Sequence, residues 1–139
     1  MELVRGLHNL RERHYGSVVT IGAFDGVHRG HQAVISDLLA RGREFGVPST
    51  VILFEPLPRE YFAPVQAPPR LMSFREKFEV LRQLGVDRVL RIRFDHSFSI
   101  MSAQEFIESV FVKGLGARYI VVGEDLRFGL YLQLPADVQ

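Results

Sequence analysis

The sequence predicts an α/β protein in which helices cover both faces of a mostly parallel β-sheet. Short runs of β-branched and apolar residues alternate along the chain with segments whose apolar residues recur at helical spacing. The resulting order is strand, helix, strand, helix, strand, helix, strand. Such an order requires right-handed crossovers between parallel strands, and these crossovers put helices against the sheet.

The first predicted strand is residues 17–21, a β-branched run that ends at Gly22. A helix is predicted from Gln32, because its apolar residues lie on one face. These apolar residues are Val34, Ile35, Leu38 and Leu39. The second predicted strand is residues 50–54, and Pro56 stops it.

Residues 56–69 hold five of the seven prolines and are predicted to form a long loop. The residue before each proline is pushed out of the helical region, which favours extended or turn structure. A loop of this length inside a domain is often functional.

Two capping boxes mark the remaining helices. Ser73 with Glu76 opens a helix that Gly85 ends, and Ser102 with Glu105 opens the last one. The third and fourth strands are predicted in residues 86–94 and 118–123, which are rich in apolar and β-branched residues.

The composition excludes several classes of protein. The chain has 139 residues, of which 47% are apolar and 24% charged, so one domain with its own core is expected. The net charge of +1 does not favour a nucleic-acid or membrane partner. Disulfides, thiolate metal sites and cysteine nucleophiles are excluded because there is no cysteine. The apolar runs are too short to cross a bilayer and no signal segment is recognised, so a cytoplasmic location is expected.

Three unusual segments are predicted to follow strands: residues 22–31, 55–69 and 123–129. Ligands of open parallel sheets bind beyond the carboxyl ends of the strands. The sequence therefore predicts a site made by these three segments.

The segment 22–31 carries the most chemistry. Three glycines let its backbone approach a ligand closely, and it leads into a helix N-terminus, which favours a phosphate. His28 and His31 can donate hydrogen bonds to phosphate oxygens. The segment matches neither the P-loop pattern nor the dinucleotide-binding pattern G-x-G-x-x-G. The competing interpretation is a tight turn with two polar histidines.

Residues 21–31 (Ile-Gly-Ala-Phe-Asp-Gly-Val-His-Arg-Gly-His) resemble the signature of bacterial FAD synthetases, the N-terminal module of bifunctional riboflavin kinase/FMN adenylyltransferases. The His-x-Gly-His pattern alone also occurs in pantetheine-phosphate adenylyltransferases and class I tRNA synthetases. Three further segments agree with FAD synthetases: residues 53–58, 69–77 and 122–129. The resemblance therefore covers most of the chain, from about Ser17 to Gly129.

The resemblance implies a Rossmann-like nucleotidylyltransferase fold and the transfer of AMP from ATP to FMN, giving FAD and pyrophosphate. It implies Mg²⁺ as well, for which no metal-ligating residue is assigned. His28 and His31 are the implied catalytic residues, and both also contact ATP. The other implied ATP-binding residues are Gly22, Phe24, Asp25, Gly26 and Gly30. An Asx turn is the competing interpretation of Asp25.

The resemblance of residues 53–58 and 122–129 to FAD synthetases implies which residues bind the flavin. Phe54, Pro56 and Pro58 are expected to form an apolar wall for the flavin ring. Asp125, Arg127 and Phe128 are expected near the substrate. The competing interpretation is a proline-rich surface loop with Phe54 facing the core. The sequence departs from the family at Leu57, where a histidine is frequent, and at Leu126, where the family has phenylalanine.

The expected domain is an FMN adenylyltransferase domain over residues 1–129. Residues 130–139 do not match the family's continuation, so a truncation or a junction across a missing segment is expected. Neither the family's Ser-Ser-Thr-x-x-Arg motif nor a riboflavin kinase domain is found in this chain. The oligomeric state is not predicted.

Two other functions remain open from the sequence. One is a nucleotidylyltransferase for another small phosphate ester, of the pantetheine-phosphate type. The other is a fragment that binds nucleotide or flavin without catalysis. FAD formation from ATP, FMN and magnesium distinguishes the three.

Overall fold

Five strands build one sheet in the computed structural model, which describes residues 1–25, 29–67 and 69–122. The strands are β1 (Glu2–Arg5), β2 (Ser17–Ile21), β3 (Ser49–Phe54), β4 (Arg88–Ile92) and β5 (Ala117–Val122). Their spatial order is β1-β4-β3-β2-β5, and every neighbouring pair is parallel. All five carboxyl ends therefore meet at one edge of the sheet.

The helices connect these strands. They are α1 (Arg29–Phe45), α2 (Pro58–Phe62), α3 (Phe74–Leu84), α4 (His96–Ser99) and α5 (Ala103–Phe106), which continues directly as a π-helix (Ile107–Gly114). Two 3₁₀ turns, Leu7–Asn9 and Glu12–His14, follow β1. Over the described ranges, no helix combines the length and the apolar character needed to span a membrane.

Helices cover both faces of the sheet, as the sequence predicts. On one face, sheet residues pack against α1 and α3 in a cluster that includes Val18, Val51, Val89, Ile35, Leu38 and Leu81. On the other face, sheet residues pack against α5 and the π-helix in a cluster that includes Val19, Ile52, Leu90, Phe106, Val110 and Phe111. Successive strand residues point to opposite faces, so strands buried on both sides are almost wholly apolar.

The capping box predicted at Ser73 is present, and at Ser102 the predicted N-cap hydrogen bond is present. The Ser73 hydroxyl accepts the amide of Glu76, whose carboxylate accepts the amide of Ser73. At the other end of α3, Gly85 takes the left-handed conformation with φ of 102°. The Ser102 hydroxyl likewise accepts the amide of Glu105.

The structure also differs from the sequence prediction, and three of the differences have a local explanation. The strand β1 was not predicted, because four residues at a sheet edge give too short a pattern to recognise. The predicted loop 56–69 contains the short helix α2. Proline is tolerated at its first position, and the Glu60 carboxylate accepts the Leu57 amide there. The helix α1 begins at Arg29 rather than Gln32, because its first residues precede the apolar residues from which the helix was predicted.

A polar cluster fastens β1 at the amino edge of the sheet. The Glu2 carboxylate accepts hydrogen bonds from the Arg13 guanidinium and from Nε2 of buried His14, at 3.1 Å. Nδ1 of His14 accepts the Arg11 amide, so Nε2 carries the hydrogen. Arg88 of β4 is largely buried, and its Nε lies 3.5 Å from Glu2. The bond from Arg13, opposed by burial and supported by His14, lowers the pKa of Glu2 to about 2.

The lowered pKa makes the stability of the fold depend on pH in a defined window. Folding lowers the Glu2 pKa from 4.5 to about 2, so its contribution is complete above 4.5 and is lost as pH falls towards 2. We expect Glu2→Gln to lower the free energy of unfolding by about 1–2 kcal/mol at pH 7, after allowance for solvent screening. Melting temperatures of both proteins, measured from pH 7 down to pH 2.5, test this.

The matched control is Glu44→Gln, which removes an exposed ion pair between Arg41 and Glu44 within α1. This control should change stability by no more than about 0.5 kcal/mol. A Glu2→Gln deficit that stays the same from pH 7 to pH 2.5 contradicts the assignment.

Candidate active site

The segment after β2 enters the carboxyl edge of the sheet with a constrained backbone. Phe24 has φ of 51°, a left-handed value that is unfavourable for a bulky residue. Its ring lies over Gly22, where a Cβ would come within 3.0 Å of the ring. A side chain at position 22 would therefore displace the Phe24 ring by a few tenths of an ångström.

The Phe24 ring also packs against the predicted catalytic residue His31. The two ring centroids are 5.0 Å apart, with a 50° angle between the ring planes. His31 lies in the first turn of α1 and is 5% exposed. The histidine is thus held at the start of a 17-residue helix, where backbone N–H groups and the helix dipole favour an anion.

Among the described residues, the hydrogen-bond partners of Asp25 lie in other segments of the chain. Its carboxylate accepts the amides of Leu71 and Met72, at 3.0 and 2.8 Å. It also accepts a hydrogen bond from the Arg59 guanidinium of α2, at 3.0 Å. Its side chain is only 8% exposed. Asp25 therefore connects the segment after β2 with both α2 and the entrance to α3.

A second arginine fixes the segment after β3. Arg70 forms paired hydrogen bonds with Glu55, at 2.6 and 3.0 Å, and with Glu60, at 2.6 Å. Bidentate pairs of this kind are among the stronger ion pairs in proteins. The bonds from Arg70 hold the pKa of Glu60 below its usual value, against the effect of burial. α2 is thereby attached to the residues that precede α3.

Lys77 is a third cation close to these charged side chains. It lies in the first turns of α3 and is 1% exposed. Burial lowers the pKa of its ammonium group, and the charge of Asp25 opposes that effect. Burial raises the pKa of Asp25, but the two amides, Lys77 and Arg59 outweigh it, so the net shift is downward. Three carboxylates (Asp25, Glu55, Glu60) and three cations (Arg59, Arg70, Lys77) thus form one interacting cluster.

The predicted flavin residue Phe54 lies in the core. It is the last residue of β3 and is 2% exposed, with its ring edge-on to Phe94 at 5.4 Å. The aromatic cluster continues from Phe94 to Phe62, the last residue of α2, at 5.5 Å. Phe62 is 65% exposed. The aromatic surface at this edge is therefore supplied by Phe62 and not by Phe54.

The other predicted residues divide between described and undescribed parts of the chain. Pro56 follows β3 through a cis peptide bond, and Pro58 is the first residue of α2. Gly30 belongs to the first turn of α1. Five predicted residues lie outside the described residues: Gly26, His28, Asp125, Arg127 and Phe128.

Sequence reasoning missed Arg59, Phe62, Arg70 and Lys77. The first three lie in or beside the proline-rich segment, for which the sequence predicts a function and assigns Pro56 and Pro58 but no charged side chain. A lysine within the apolar side of the helix 74–84 was the one signal available for Lys77. Within the described residues, no group of three or more His, Asp or Glu side chains is arranged to hold a metal ion.

Comparison with known proteins gives concordant matches. The family described as FAD synthetase matches residues 10–134. The chain is 52% identical over 129 residues to the bifunctional riboflavin kinase/FMN adenylyltransferase of Pseudomonas fluorescens, covering 93% of this chain and 41% of the relative. It is 49% identical over 130 residues to the protein of the same name from Escherichia coli K12, covering 93% and 42%. The chain thus spans about two fifths of the length of these curated relatives.

Among solved structures, the fold is similar to one described as a macrolide-efflux protein from Streptococcus pneumoniae. The TM-score is 0.75 at 26% identity, over 93% of this chain and 44% of that one. This match supports the α/β architecture.

The contacts of Asp25 predict a stability cost for its removal. Asp25→Ala leaves two amides without their acceptor and removes the carboxylate that is hydrogen-bonded to Arg59 and that acts most strongly on Lys77. We expect a loss of about 1–3 kcal/mol in the free energy of unfolding. Urea unfolding measures the loss, and Glu79→Ala, which removes an exposed ion pair with Arg82 on α3, is the control. Equal, small effects of the two substitutions contradict the role given to Asp25.

Proposed function

The chain belongs to the FAD synthetase family, and from that premise we propose that it carries the FMN adenylyltransferase activity of a longer enzyme. The reaction transfers AMP from ATP to FMN and releases pyrophosphate. The observation that carries the proposal is the packing of His31 against Phe24 at the start of α1. A donor held in advance at a helix N-terminus suits a nucleotide phosphate.

The proposed step is a direct displacement. A phosphate oxygen of FMN forms a bond to the α-phosphorus of ATP, while the bond to the oxygen bridging α- and β-phosphorus breaks. The electron pair leaves with pyrophosphate, so no covalent bond to the protein is needed. Catalysis then depends on alignment and on stabilising phosphate charge.

Individual residues contribute binding and orientation. His31 donates an imidazole N–H to a phosphate oxygen, and the first amides of α1 add partial positive charge. Phe24 fixes the ring of His31, and Gly22 gives Phe24 room. We propose that His28, Gly26 and Gly30 also contact the ATP phosphates, as the sequence predicts.

The flavin is proposed to lie against Phe62. Its exposed ring is supported by the buried aromatic residues behind it, so an apolar ring system can stack there without rearranging the core. Asp125, Arg127 and Phe128 are proposed to complete this side. Phe54 then supports the Phe62 ring through Phe94. Pro56 and Pro58 shape the start of α2.

Magnesium is proposed to enter as the complex with ATP. The carboxylates of Asp25, Glu55 and Glu60 are each engaged by arginine, so none of these described groups is assigned to the metal. Because ATP is the proposed substrate, the cytoplasm is the proposed compartment. The names of the reported relatives favour FMN over pantetheine phosphate as the acceptor.

His31→Ala tests the phosphate assignment. The loss of one charge-stabilising donor typically lowers the rate by about 10²–10³. FAD formation from ATP, FMN and magnesium, followed by chromatography, should fall by that factor while the protein remains folded by circular dichroism. His96→Ala, which changes an exposed histidine of α4, should keep the original rate. Near-normal turnover of folded His31→Ala is inconsistent with the assignment.

Phe62→Ala tests the flavin side. Loss of an exposed stacking ring should raise KM for FMN about tenfold, leave KM for ATP unchanged and alter stability little. Phe54→Ala should instead destabilise the fold by about 3–5 kcal/mol, because it opens a cavity in the core. Tyr15→Ala is the matched control, since that ring is also exposed (64%) but lies near the amino edge. An unchanged KM for FMN in Phe62→Ala would refute the assignment.

A further inference from the structure

One contact joins the two substrate sides of the proposed active site. The Arg59 guanidinium of α2 donates to the Asp25 carboxylate at 3.0 Å, although the residues are 34 positions apart in the chain. Asp25 lies in the segment that precedes α1 and the predicted phosphate donors. Arg59 lies in the helix that ends at Phe62, the proposed flavin surface. The two segments are not adjacent in the chain, and this is the direct side-chain contact between them, beside the less direct connection through Leu71 and Arg70.

On the nucleotide side, Asp25 is well placed to transmit a displacement. Its neighbour Phe24 packs on His31, with ring centroids 5.0 Å apart. Asp25 itself is held by the amides of Leu71 and Met72. A shift of the Asp25 carboxylate therefore alters the position of the ring that fixes the catalytic histidine.

On the flavin side, α2 is a short helix that carries both Arg59 and Phe62. Arg59 and Phe62 are three residues apart, so both project from the same side of a helical turn. The Glu60 carboxylate caps the Leu57 amide and pairs with Arg70, which fixes the helix at its other side. A ligand that orders Phe62 therefore also orders Arg59.

We propose that Arg59 is a positioning residue that couples the flavin and nucleotide sites through Asp25. Flavin bound against Phe62 holds α2, Arg59 then holds Asp25, and the neighbouring Phe24 keeps His31 in place for the nucleotide phosphates. Each substrate consequently strengthens binding of the other, and by linkage both affinities change by the same factor. This inference rests on the proposed FMN adenylyltransferase function.

The exposure of Arg59 determines how this role must be measured. Its side chain is 40% exposed, and exposed ion pairs contribute little to overall stability. The free energy of unfolding is therefore an insensitive measure, and we expect substitution of Arg59 to leave the fold intact. The sensitive quantity is the coupling factor, defined as the ratio of the FMN dissociation constants without and with bound nucleotide.

The experiment uses isothermal titration calorimetry with FMN and the magnesium complex of α,β-methylene ATP. This analogue cannot be cleaved between the α- and β-phosphorus, so both ligands bind without reacting. We expect a coupling factor of about 5 for the unaltered protein, at the lower end of typical allosteric coupling. Arg59→Met should lower it towards 1, and Arg59→Lys should retain more of it than Arg59→Met does, because a lysine keeps the charge with fewer donors.

A second substitution separates coupling through Asp25 from a general effect. Asp25→Asn keeps an acceptor for the Leu71 and Met72 amides but removes the charge that pairs with Arg59. In the Asp25→Asn background, Arg59→Met should cause no further change in the coupling factor. The control is Arg82→Met, which breaks an exposed ion pair with Glu79 on α3 and should keep the original factor.

The outcomes are distinct. A coupling factor of 1 in the unaltered protein, or an unchanged factor in Arg59→Met, overturns the inference while leaving the proposed function standing. An equal loss in Arg82→Met also overturns it. If the unaltered protein binds neither FMN nor the nucleotide, the proposed function is overturned and the inference with it.

Discussion

The parallel direction of all the described strands is the constraint on which the rest of the structure depends. Parallel strands cannot be joined by hairpins, so each connection crosses a face of the sheet and brings the chain back to the amino edge. Every segment that follows a strand is consequently gathered at the carboxyl edge. β2 and β3 are neighbours in the sheet, and for that reason Asp25, after β2, can contact Arg59, after β3.

The two edges of the sheet use charge for different purposes. At the amino edge, Glu2 pairs with residues that fasten β1 to β4, and the contacts are local to that corner. At the carboxyl edge, Asp25 and Arg70 each bind partners from separate segments, so their charges organise loops and not strands. The three carboxylates and three cations there balance one another, so this cluster adds little net charge beside the proposed phosphate site.

Much of this arrangement could be predicted from the sequence, because it depends on local patterns. The four longer strands, the caps at Ser73 and Ser102, and the end of α3 at Gly85 all follow from residues close together in the chain. The partners of Asp25 could not be predicted, since no periodicity connects it with Arg59 or Leu71. Sequence alone also could not decide whether Phe54 or Phe62 reaches the surface, because that depends on how α2 folds over Phe94. The roles of His28 and Asp125 stay predictions.

The position of β1 has a consequence for how the protein is made. β1 leaves the ribosome before the other described strands, yet its neighbour in the sheet is β4, with Glu2 opposite Arg88. The nascent chain must therefore carry β1 without this neighbour until α1, β3 and α3 have been synthesised. Contacts so distant in sequence form slowly. Closure of this edge is thus a late step, and during translation an unpaired β1 is exposed to other nascent chains and to chaperones.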